Sequence, residues 1–202
     1  MTEPEPEKVS VEHIQTQDLF ILEIGRFAIS FERIVSYIRE SIIDIFLHKG
    51  LNDPQFAMAI LGDLNAEPIR QTFEKITPYY FKKSEQEFIK EILNQFSLLI
   101  QIRNRIIHCY WIIGVVKSEP PTKPVGIGLK RKVTSRGVKD YNLEILYEEM
   151  IGIISEIKVF EVIMRKFNTN IHQKNSIKTS LSLDHIKGLR FDEILGKMKL
   201  DK

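Results

Sequence analysis

Between Phe20 and Ile45 the apolar side chains recur at three- and four-residue steps: Phe20, Ile24, Phe27, Phe31, Ile34, Ile38, Ile42 and Ile45. A polar stripe of Glu23, Arg26, Ser30, Arg33, Tyr37, Glu40 and Asp44 runs beside them. That period belongs to one long amphipathic helix, entered near Val11 and strongly patterned after Asp18. It is expected to stop at His48-Lys49-Gly50, with Gly50 just past the end and His48 as a cap or surface residue in the last turn. A helix this long buries one face over about 40 Å at 1.5 Å per residue, and only other helices cover such a stripe well.

The remaining chain supplies them. Asn52-Asp53-Pro54 is a start signal, with Asp53 as N-cap and Pro54 at the first helical position, for a short helix Gln55 to Leu61. Gly62 to Asn65 breaks it, and a second short helix is expected to end before Pro78. Ser84 with Glu87 reads as a capping box that opens a third major helix. Its stripe is Phe88, Ile92, Phe96, Leu99, Arg103, Ile106 and Tyr110. From Tyr110 the pattern turns aromatic and β-branched. Val125 to Thr134 and Val138 to Leu143 predict a small antiparallel hairpin or ribbon inserted at about 110–143. The last long helix is expected from Asn142 to Asn168. The expected fold is mainly α: an antiparallel bundle of four to five helices with an inserted β-hairpin. The acidic residues 1–10 are expected to be disordered, 11–168 to form the domain, and 169–202 to be a basic tail with a short amphipathic helix.

Charge enters the argument through its distribution. The chain of 202 residues carries a net charge of only +2, yet residues 115–140 hold seven bases against two acids. One cysteine excludes an intrachain disulfide and suits a reducing cytosol, so a cytoplasmic location is expected. No run of about eighteen apolar residues occurs, so no membrane partner is expected. Neither a zinc-type Cys/His pattern nor a glycine-rich phosphate loop is present, so no metal and no cofactor are expected.

The chemistry-bearing stretch is Gln101 to Trp111, which holds Arg103, Asn104, Arg105, His108, Cys109 and Tyr110. Arg103 falls on the apolar stripe, and an unpaired buried guanidinium is very costly, so it must face a partner or a cleft. At 100° per residue His108 lies about 140° from Arg103 and next to Asn104, so the two side chains are not expected to converge on one atom within a single helix. Asn104 would then steady the imidazole, and a two-fold pairing of chains would bring arginines and histidines together. Such a site suits RNA, whose 2′-hydroxyl is an internal nucleophile. A histidine moves the proton, and an arginine stabilises the charge that builds on the phosphorane. Tyr110 or Trp111 offers a stacking surface for a base, although packing is the more ordinary role for Trp111. Cys109 reads as a small buried residue.

On these residues the chain resembles the HEPN superfamily of helical nucleotide-binding domains over roughly 18–167. The carriers are Ile24-Gly25-Arg26-Phe27-Ala28-Ile29-Ser30-Phe31-Glu32 and Arg103-Asn104-Arg105-Ile106-Ile107-His108-Cys109-Tyr110-Trp111. The signature is R-x4–6-H, often with a polar residue after the arginine, as Asn104 is here. The resemblance implies an all-α bundle and, for many members, a metal-independent endoribonuclease that works as a homodimer. Arg103, His108 and Tyr110 also fit the narrower R-x4-H-x-Y pattern of toxins paired with minimal nucleotidyltransferases. That likeness implies a nucleotidyltransferase-type antitoxin as partner and Tyr110 as its modification site.

The expected function is therefore RNA cleavage in a bacterial toxin or defence role. Arg103 would stabilise the transition state, His108 would act as acid or base, and Asn104 would position it. Tyr110 would bind substrate or be modified. Lys130, Arg131, Lys132 and Arg136 would hold the RNA backbone. The alternative is a non-catalytic nucleic-acid-binding or assembly module of the same fold.

Overall fold

The computed structural model describes residues 11–116, 123–134, 137–177 and 181–198. The acidic residues 1–10, Arg136 and residues 117–122 of the proline-rich break lie outside the described residues. The fold is mainly α, as the patterning predicts. Helix α1 (Val11–His48) is followed by α2 (Pro54–Leu61), α3 (Ala66–Tyr80) and α4 (Lys83–Ile106). Strands β1 (Tyr110–Val116), β2 (Lys123–Thr134) and β3 (Gly137–Leu146) follow, then α5 (Tyr147–His172), α6 (Leu183–Lys187) and α7 (Phe191–Lys197).

Helix α1 runs 38 residues because nothing interrupts its stripe. Phe20, Phe27, Phe31, Ile34, Ile38 and Ile42 are all fully buried. They pack most extensively against α5 and also against α3 and α4. The helix ends where the sequence says it should. Gly50 takes a φ of 101°, Leu51 N–H donates to Phe46 O at 3.0 Å, and Gly50 N–H donates to Leu47 O at 3.1 Å. This is the left-handed glycine stop that satisfies the last carbonyls. Asp53 caps α2, accepting from Gln55 N–H at 2.8 Å and Phe56 N–H at 3.2 Å.

Several boundaries differ from the sequence reading. Helix α3 passes through Pro78 and ends at Tyr80. Proline lacks only its own N–H, and near a helix end that removes a single ladder bond. Helix α4 starts at Lys83, one residue before Ser84. The reciprocal cap is Glu85, whose carboxylate accepts from Lys82 N–H at 3.3 Å. Glu85 also accepts from Ser176 Oγ at 3.0 Å, which ties the later chain to the start of α4. The inserted hairpin is a three-stranded antiparallel meander in the order β1-β2-β3. Its register pairs Tyr110 with Leu129 and Gly128 with Leu143. Residues 142–146, expected to open the last helix, belong to β3 instead, where Leu143 and Ile145 point into the core.

The segment read as a tail joins the same core. Ile171, Ile177, Leu181, Ile186, Leu189, Phe191 and Met198 are buried within the one hydrophobic cluster. Phe160 and Phe191 meet edge-on with centroids 5.7 Å apart. The core therefore runs past residue 168 and includes α6 and α7.

Candidate functional site

The end of α4 is shaped by two competing demands. Its apolar stripe would continue the helix, while the β-branched and aromatic run from Tyr110 pairs with β2. Strand pairing wins after Ile106, and the chain turns over Ile107 to Cys109. Ending a helix exposes its last carbonyls. Two side chains from the turn and strand accept that task as donors. Cys109 Sγ donates to Arg105 O at 2.8 Å, and Trp111 Nε1–H donates to Ile106 O at 2.8 Å. Trp111 also packs on Phe20, 5.6 Å between centroids, and so fills a structural role. Gln17 of α1 donates to Ile113 O at 3.0 Å and holds β1 against the helix.

Because the helix stops, His108 does not follow the ideal-helix geometry. It swings back until its Nε2 lies 2.7 Å from Arg103 Nη1. The expectation that the two side chains diverge on one chain is thereby corrected: they meet in a single copy. Arg103 Nη1 also donates to Asn104 Oδ1 at 3.3 Å, so Asn104 braces the arginine. The guanidinium lies 5.7 Å above the Phe31 ring of α1, a cation–π contact that gives this half-buried cation its apolar partner. An arginine on the core stripe is accommodated in this way, with its head at the rim of a cleft.

That cleft, about 480 Å³, opens between α1, the α2–α3 connection and the end of α4. Arg103, Asn104 and His108 line one side. Phe31, Glu32 and Arg39 line the α1 wall, and Asp63 and Glu67 lie across from them. Arg39 donates to Leu61 O at 3.2 Å and Leu64 O at 3.1 Å, fixing the α2–α3 connection in place as a wall. Arg70 holds the Glu67 carboxyl below the usual carboxylate range through their hydrogen bonds, the shortest 2.8 Å.

Of the residues expected to act together, Arg103, Asn104 and His108 share the cleft. Tyr110 does not line it: it stands on the sheet, 72% exposed, beside Ile112, Ile127 and Leu129, which are also exposed. Lys130, Arg131 and Lys132 are β2 positions paired with Tyr141, Asp140 and Lys139. The sequence reading missed Phe31, Glu32, Arg39 and Asp63. Phe31 and Glu32 lie inside the stretch that carries the family resemblance, but nothing in the spacing of one helix says which part of it faces Arg103.

Among the described residues no group of three or more His, Cys, Asp or Glu side chains is arranged to hold a metal ion. No described helix is long and apolar enough to cross a membrane. No family model matches the chain, and neither does any curated protein or solved structure.

Proposed function

We propose that the chain is a metal-independent endoribonuclease with its catalytic centre in the Arg103–His108 cleft. The observation that carries this reading is the 2.7 Å contact between Arg103 and His108 at the edge of an open cleft. A permanent cation and a side chain that titrates near neutrality are thereby held where one phosphodiester can meet both. Arg103 binds the non-bridging oxygens and stabilises the charge added in the pentacoordinate transition state. His108 moves a proton between the ribose 2′-hydroxyl, the leaving 5′-oxygen and solvent. Asn104 keeps Arg103 oriented. The basic β2 positions Lys130, Arg131 and Lys132, with Arg136, attract the RNA backbone. The HEPN resemblance adds the toxin or defence role, the homodimer and an antitoxin that modifies the exposed Tyr110. Arg103 and His108 already meet within one chain, so a homodimer rests on that resemblance rather than on a need to complete the pair.

A second reading is a non-catalytic binding or assembly module. It is favoured by the way Arg103 and His108 satisfy each other, as two structural residues would. Cleavage of mixed-sequence RNA in the presence of a chelator separates the two. Wild type should produce 2′,3′-cyclic phosphate ends, while His108→Ala remains folded and inactive. Equal cleavage by both proteins, or by neither, removes the nuclease reading.

A further inference from the structure

We infer that Glu32 is the second proton-transfer group of the cleft, the base that activates the 2′-hydroxyl while His108 serves the leaving group. The inference rests on the ribonuclease reading above and adds a residue to it.

Transesterification of RNA moves two protons. The 2′-oxygen loses one as the O2′–P bond forms, and the 5′-oxygen gains one as the P–O5′ bond breaks. The products are a 2′,3′-cyclic phosphate and a 5′-hydroxyl, with no oxidant or reductant involved. One imidazole cannot serve both ends at the same moment, so a second group is needed in the same cleft. The charged or titratable side chains that line it are Glu32, Arg39, Asp63, Glu67, Arg103 and His108. Arg39 is committed to the carbonyls of Leu61 and Leu64. Glu67 is committed to Arg70 and Gln71, and a carboxylate so well paired is a weak base. Asp63 has no hydrogen-bond or ion-pair partner among the described residues, but it rides on the short connection between α2 and α3 rather than on a long helix.

Glu32 is different. Its carboxylate has no hydrogen-bond or ion-pair partner among the described residues. It is carried on the middle of a 38-residue helix, next to Phe31, whose ring supports the Arg103 guanidinium. Its backbone position is therefore locked to that of the phosphate-binding cation. In the reaction Arg103 turns from His108 Nε2 to the non-bridging oxygens, the freed Nε2 takes a proton from solvent, the Glu32 carboxylate takes the 2′-proton, and the imidazolium so formed gives its proton to O5′.

The test compares wild type, Glu32→Gln, Glu32→Asp and His108→Ala on two substrates. One is mixed-sequence RNA. The other is the set of nucleoside 3′-(4-nitrophenyl phosphates), whose leaving group departs without a proton. Glu32→Gln should lower kcat by about 10²–10⁴-fold on both substrates, with KM changed little. His108→Ala should lose RNA cleavage but keep the activated esters within about tenfold of wild type. Glu32→Asp should restore part of the rate that Glu32→Gln loses. Glu32 is exposed, so these variants fold, as a thermal melt will verify. If Glu32→Gln stays within about threefold of wild type on both substrates, the inference is overturned and the nuclease reading stands. If wild type cleaves neither substrate, both are overturned.

Discussion

Arg103 Nη1 and His108 Nε2 sit 2.7 Å apart, and only one of them can be the acceptor. A guanidinium offers donors alone, so the imidazole nitrogen accepts and the ring is neutral, with its proton on Nδ1. The resting cleft thus holds its histidine in a fixed tautomer until something more anionic draws the arginine away. The ¹⁵N spectrum of histidine-labelled protein at mildly alkaline pH should show an unprotonated, hydrogen-bonded Nε2 for His108. Arg103→Ala should release that preference. An Nε2–H tautomer in the wild type would contradict the hydrogen bond.

Arg105 faces away from the cleft. Its Nη1 donates to Leu195 O at 3.0 Å and also to Met198 O. These are carbonyls at the end of α7, which a cation suits. Arg105→Ala should lower stability by about 2 kcal/mol, in the range for hydrogen bonds to a charged group. Urea titration measures the loss. Limited proteolysis should then cut near α7 before any other part of the domain.

Two glycines should respond in opposite directions to alanine. A Cβ on Gly126 would lie 2.4 Å from the Phe20 ring, and Phe20 is fully buried between Trp111 and Tyr147. Gly126→Ala should therefore cost about 1–3 kcal/mol, since the ring has nowhere to retreat. A Cβ on Gly25 meets nothing within 4 Å, and Gly25 lies inside α1. Gly25→Ala should stabilise by up to about 1 kcal/mol through helix propensity. Thermal melts of both variants check the pair. Equal shifts would mean that β2 does not approach α1 as described.

A histidine at the other end of α1 should make stability fall in mild acid. His48 stacks on Tyr80, and the two share a 2.5 Å hydrogen bond through Nδ1 and the phenol. Burial lowers its pKa, with help from Lys174 and His172 and against the pull of Asp44. The unfolded chain then binds a proton near the ordinary histidine value before the folded chain does. Stability is fully present above that value and is lost as pH falls from it toward the depressed folded value. His48→Gln should flatten the dependence of Tm on pH just below the ordinary histidine range. An unchanged slope would assign the acid sensitivity to other groups.

What could be read from residue order alone follows the length of each signal. The stripe of α1 spans seven turns, and its Gly50 stop and the Asp53 cap of α2 are local chemistry, so all three are legible. The end of α4 is not, because Arg103 to Tyr110 keeps a helical period while Tyr110 to Val116 has strand composition. Pairing with β2 decides between them, and that partner is some twenty residues away. The misreading matters for the site, since the turn it hides is what brings His108 to Arg103. The part of the core beyond residue 168 is hidden for a different reason. Ile177, Leu181, Ile186 and Leu189 lie in pieces too short to show a period. Glu32 stands out only when the cleft is assembled, because its neighbours there come from three separate elements.

Arg105 sits two residues from Arg103 but is anchored by carbonyls 90 and 93 positions further along the chain. At about 5–20 residues per second of synthesis, those anchors leave the ribosome on the order of 5–20 s after Arg105 does. During that interval the turn of helix that carries Arg103 is without two of its ties. A growing chain therefore gains these two ties of the α4 end only after residues 195–198 have been made.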